Sequence, residues 1–189
     1  TAASPFSDAM AEKAMELIGE NIRRFVANRT DVEAAEAMMV GSLFAGIAFS
    51  FARLGNVHAM SHPVSAFFDV PHGVANAVLL PVVAEYNALA DHGRYYKIYN
   101  YISEIPAHED EFEPMMLVDA IRSLCKAIGI PANLTEAINQ AGKTGSISRK
   151  TIEEKIEAMA ADAMKSGNIA VNPRSSRQCD IEMLYRKAL

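Results

Sequence analysis

The chain has no tryptophan, only two cysteines, and no stretch in which apolar and polar residues alternate over more than a few positions. Each absence excludes something. Two cysteines, Cys125 and Cys179, make no disulfide framework, so a reducing, cytoplasmic compartment is expected. Without alternation there is no half-buried sheet to build. The glycines form neither G-x-G-x-x-G after a strand nor G-x-x-x-x-G-K-[ST], so this stretch holds no dinucleotide or triphosphate loop of its own. H-E-x-x-H is missing too. The longest run without a charge, Ala37 to Ala52, is shorter than the roughly 20 residues a bilayer-spanning helix needs, and is expected to be a buried core helix. No membrane role is expected, and Thr1 begins no signal peptide. A net charge of −5 argues against a nucleic-acid surface.

What is present is helical period. Of 189 residues, 50% are hydrophobic and 22% charged, enough for one domain with a real core. Ser4-Pro5 reads as a helix start, followed by a stripe through Met10, Ala14, Leu17, Ile18, Ile22 and Phe25. Thr30-Asp-Val-Glu33 reads as a capping box for a second helix to about Leu54, apolar on nearly all sides and so expected at the centre of a bundle. A short helix ends near Asp69, and Pro71-His72-Gly73 restarts the chain into a helix to about Asp91, bent at Pro81. Further helices are expected over Arg94–Ser103, Glu111–Ile128, a short one capped by Asn133-Leu-Thr-Glu136, Ser148–Lys165 and Gln178–Ala188, with a turn over Gly142–Ser148 and irregular backbone over Gly167–Ser176. The expectation is an all-α bundle of about nine helices forming a single domain, 1–189.

Three of the five histidines, His58, His62 and His72, fall within fifteen positions, set among Gly, Pro and apolar residues. Imidazoles in such surroundings need partners, because an unpaired buried polar group costs about 1–3 kcal/mol. One reading is structural: satisfied core rings. The other is a metal, since neutral imidazole is a common ligand. The i,i+4 spacing alone favours His58 and His62 as co-ligands, with His72 closing from the next helix start. Cys125 sits on an apolar helix face and reads as core; Cys179, beside Arg177, is a weak nucleophile candidate.

Gly46-Ile-Ala-Phe-Ser-Phe-Ala-Arg-Leu-Gly-Asn-Val-His58-Ala-Met-Ser-His62-Pro, followed by Phe67-Phe-Asp-Val-Pro-His72-Gly-Val-Ala-Asn-Ala, resembles the iron-containing (group III) alcohol dehydrogenases. The resemblance runs from the first helix to Asn172-Pro-Arg174 and Leu184-Tyr185. It implies the helical C-terminal domain of that family, with His58 and His72 as two of four metal ligands, for Fe2+ with Zn2+ as the other candidate. It moves His62 from ligand to catalytic residue, facing nicotinamide and substrate, and puts Phe49 near the substrate. It further implies a primary alcohol or diol and its aldehyde as substrates, NAD(P) bound mainly by an N-terminal α/β domain not present in this sequence, and a homodimer. That absent half would also carry the remaining two ligands in an Asp-x-x-x-His motif. The chain alone is then expected to be inactive, to bind metal weakly or not at all, and to expose the surface that meets the other half or cover it with another copy in a dimer. Two competing readings are a stand-alone helical interaction module with structural histidines, and a related metal-dependent polyol dehydrogenase or dehydroquinate-synthase-like lyase, which share the architecture but not the Pro-His-Gly-x-x-Asn-Ala spelling.

Overall fold

The computed structural model describes residues 2–141 and 146–189. Among them are ten α-helices and three short 3-10 turns, and no strand. The all-α expectation holds. The helices are α1 (Pro5–Ala27), α2 (Val32–Ala52), α3 (Asn56–Phe68), α4 (His72–Asn87), α5 (Arg94–Ile102), α6 (Pro114–Ala127), α7 (Leu134–Ala141), α8 (Arg149–Glu153), α9 (Ile156–Met164) and α10 (Gln178–Ala188). One helix more than expected appears because the Ser148–Lys165 segment breaks at Glu154 and Lys155 into α8 and α9. Part of the Gly142–Ser148 turn lies outside the described residues.

The chain divides into two compact units. The first comprises Thr1–Arg53 and Asp91–Ile128. Here α1 opens where Ser4 and Pro5 placed it: the Ser4 hydroxyl accepts from the Ser7 N–H at 3.2 Å, and the Ser4 N–H donates to Ser7 Oγ at 2.8 Å. The cap of α2 falls one residue later than the expected box. Asp31, not Thr30, accepts from the Ala34 N–H at 3.0 Å, while Thr30 donates to Asn28 Oδ1. Either residue type can cap; the carboxylate also pairs with Arg24 at 2.8 Å, which favours its position.

α1 and α2 pack closely, and small residues set their distance. A Cβ on Gly41 would stand 2.8 Å from Ile18 Cγ1. On α1, a Cβ at Gly19 would stand 2.1 Å from the Tyr101 carbonyl oxygen, so the end of α5 lies directly against that helix. The expectation that α2 is a buried core helix is corrected. It buries only Ala34, Gly41 and Ala48, one small-residue face seven positions apart, while Met39, Leu43 and Phe51 are exposed. An all-round apolar helix buries only the sides on which neighbours exist. By length and composition, α2 and residues 72–90 are long and apolar enough to cross a bilayer, a test that core helices also pass.

The second unit comprises Leu54–Ala90 and Gly129–Leu189. Its core runs through Met60 and Val64 of α3, Leu79 and Val83 of α4, Ile138 of α7, Ile156 and Met159 of α9, and Ile181 and Tyr185 of α10. Tyr185 is fully buried, and its hydroxyl donates to the Met60 carbonyl at 2.7 Å, satisfying the one polar atom it brings inside. The irregular stretch before α10 is tied down by side chains. Asn172 forms a double amide pair with Asn87, and Tyr86 donates to the Ser175 carbonyl at 2.6 Å. The guanidinium of Arg174 lies 3.9 Å from the Tyr86 ring centroid and donates to the Tyr86 carbonyl.

Candidate metal centre

The three histidines belong to the second unit, and its backbone explains how they meet. α3 starts at Gly55, which has no side chain to cap it. The cap comes from far along the chain: Asn172 Oδ1 accepts the Asn56 N–H at 3.1 Å. A Cβ at Gly55 would stand 2.9 Å from that oxygen, so glycine is what lets Asn172 reach in. The start of α3 is thereby fixed, and His58 lies in its first turn. α3 ends with Asp69 in the left-handed region, at φ 55°, a conformation Asp tolerates better than most residues. Two residues on, Pro71 leads into α4 with His72 as its first residue. A helix end, a tight connection and a new helix start thus bring positions 58 and 72 together.

The ring centroids of His58 and His72 are 5.3 Å apart, and those of His62 and His72 are 5.1 Å apart with planes inclined by 25°. His58 and His62 are 6.5 Å apart and edge to face. The decisive contact is with Asn76, one turn beyond His72 on α4. Its amide nitrogen is 3.1 Å from His58 Nε2 and 3.0 Å from His72 Nε2. An amide nitrogen can only donate, so both Nε2 atoms accept and carry no proton. The other nitrogen of His72 agrees. Its Nδ1 lies 3.4 Å from the hydroxyl of fully buried Ser61, which itself donates to the His58 carbonyl at 3.2 Å. His72 is therefore the Nδ1–H tautomer, with a bare Nε2.

Burial holds the His58 pKa down to about 4, with His72 and then His62 adding to the effect. A ring that stays neutral keeps its lone pair for a Lewis acid. His62 and His72 are exposed. Among the described residues, no three His, Cys, Asp or Glu side chains close on one point a metal could share. Nε2 of His58 and Nε2 of His72 share one neighbour, the amide nitrogen of Asn76. His62 stacks on the second of them and does not share the Asn76 contact. Phe49 is half-exposed on α2, in the first unit.

Sequence reasoning missed Asn76, Ser61 and Asn172. The signal for Asn76 was its place four residues after His72 on one helix face. Ser61 and Asn172 carried no local signal, because their work is done across turns and across the chain.

A helical unit that brings three histidines together at a helix–turn–helix junction defines, as a class, an all-α domain with a histidine cluster. The particular family is shown by comparison: the profile of the Fe-containing alcohol dehydrogenase family, C-terminal, matches residues 1–189, and the chain belongs to that family. It is 37% identical over 190 residues to 1,3-propanediol dehydrogenase of Citrobacter freundii, covering 98% of this chain and 45% of that protein. It is 35% identical over 183 residues to lactaldehyde reductase of Escherichia coli K12, covering 96% and 44%. Its fold superposes on the crystal structure of a 1,3-propanediol oxidoreductase with a TM-score of 0.87 at 36% identity, over 100% of this chain and 47% of that one. The chain thus spans about half the length of the relatives it matches.

Two neutral imidazoles converging on one point fit a divalent first-row metal. Such ions take nitrogen donors readily, and Fe2+ and Zn2+ both bind them.

Proposed function

We propose that this chain is the C-terminal, metal-binding half of a longer NAD(P)-linked, metal-dependent alcohol dehydrogenase. In this reading both compact units belong to one helical domain, 1–189, and the protein interconverts a small primary alcohol or diol and its aldehyde. The carrying observation is the shared point of His58 and His72 Nε2. Family membership supports the reaction class.

His58 and His72 would hold the metal, Fe2+ or Zn2+, which when bound supplies a Lewis acid to an alcohol oxygen. The remaining work assigned to this chain is positional. Ser61 fixes the His72 tautomer, so that Nε2 rather than Nδ1 faces the metal point. Stacked on His72 and open to solvent, His62 offers a second imidazole beside that point without occupying it. Oxidation of an alcohol sends a hydride from the carbinol carbon to the nicotinamide and a proton from the hydroxyl. His62 is the acceptor this chain offers for that proton. Phe49 is assigned to the substrate wall on the family resemblance. The dinucleotide fold and two further ligands are assigned to the preceding half, so this chain alone is inactive. A cytoplasmic homodimer completes the reading.

The test is an assay of the full-length protein, loaded with Fe2+ or Zn2+, against short primary alcohols and diols with NAD+ and NADP+. Turnover by the full-length protein and none by this chain is expected. No oxidation of any such alcohol by the full-length protein contradicts the reading.

A further inference from the structure

The Asn76 side chain stands where a cation held by His58 and His72 would have to come. Its amide nitrogen is equally close to both Nε2 atoms, at 3.1 and 3.0 Å, so their two lone pairs meet on it. Both lone pairs lie in the ring planes, and each ring has one at Nε2. A lone pair given to an N–H cannot also be given to a metal. Any metal bound by both rings must therefore take both hydrogen bonds from Asn76.

We propose that Asn76 is a displaceable placeholder. Its amide donates to both ring nitrogens and keeps them aimed at one point, and it turns aside when a divalent cation enters. The proposal rests on His58 and His72 being the ligands.

Two features of the structure make the displacement inexpensive. The amide is held at one end only: Asn76 Oδ1 is buried with no hydrogen-bond partner among the described residues. A carbonyl left unpaired gains when the amide rotates to reach a donor or water. Nor do the rings depend on Asn76 alone for their places. His58 is half-buried in the first turn of α3, while His72 is held through Nδ1 by Ser61 and stacks on His62. Removing the amide therefore releases a competitor without releasing the donors. The energetic reading follows from that asymmetry. A residue that only positioned the rings would make metal binding tighter by its presence. A placeholder makes it weaker, because its two hydrogen bonds have to be broken first.

The test uses the full-length protein, with Zn2+ as the probe. Titration calorimetry compares the natural protein with N76A and H58A, while NMR follows the side-chain amide of Asn76 in the natural protein. The expected results are about tenfold tighter Zn2+ binding by N76A, loss of binding in H58A, and movement of both Asn76 amide proton signals as Zn2+ is added. The amide signals keep the test decisive even if N76A does not fold. Zn2+ binding that H58A abolishes, with N76A equal or weaker or with the amide signals unmoved, overturns the placeholder and leaves the ligand assignment standing. No Zn2+ binding by either the natural full-length protein or its N76A variant overturns the ligand assignment, and the placeholder with it.

Discussion

α2 and α4 present the same apolar character on nearly every side, and the structure treats them oppositely. α4 buries Ala75, Val78, Leu79, Val82, Val83, Ala84 and Tyr86, and carries His72 and Asn76 at its start. α2 buries three small residues and leaves Val32, Met39, Leu43, Phe49 and Phe51 exposed. Composition sets how much a helix can bury; neighbours decide how much it does bury. The more buried element is the one that carries His72 and Asn76. His72 stands at the start of a helix whose buried face is packed into the core of the second unit, the support that a precise ligand would need.

The contrast breaks most visibly under truncation. Leu79→Ala removes a fully buried side chain from the core of the second unit and should cost about 2–5 kcal/mol in urea denaturation. Leu43→Ala, on the exposed side of α2, should fall within about 0.5 kcal/mol of the natural chain. Equal costs would mean that the two helices are buried alike.

Glycines sharpen the point next. Gly19→Ala drives a methyl group into the Tyr101 carbonyl and should destabilise by about 1–3 kcal/mol, although alanine is the better helix former. On α2, Gly46→Ala meets nothing within 4 Å and should stabilise by up to about 1 kcal/mol. Both are read from thermal unfolding.

Tyr185→Phe leaves the Met60 carbonyl without its partner inside the core. It should cost about 1–3 kcal/mol in urea denaturation. A smaller effect is expected at the cysteines, read as alkylation rates. Burial pushes the Cys125 thiol up, so iodoacetamide should modify it more slowly than exposed Cys179. Equal rates would show Cys125 to be more open than its helix face suggests.

Much of this was legible in the sequence, for stated reasons. The period of apolar residues located the helices, and local caps such as Ser4 with Ser7, and Asn133 with Glu136, located two of their starts. Burial of α2 was not legible, because periodicity says which residues are apolar and not which neighbours are available. The break between α8 and α9 carries no proline or glycine to announce it. At the site, spacing alone paired His58 with His62, since residues four apart share a helix face. The geometry instead aims His58 and His72 at one point, because Asp69 ends α3 and Pro71 starts α4 in between. The rest of the support came from distant residues. Asn172 caps α3 from 116 positions away.

The most direct test of the account is a Zn2+ titration of the full-length protein with each of these three histidines replaced in turn by alanine. The account predicts that H58A and H72A each weaken binding by about tenfold or more, while H62A binds as the natural protein does. Loss of binding in H62A equal to that in H72A would contradict it, and would make the i,i+4 pair on α3 the metal site.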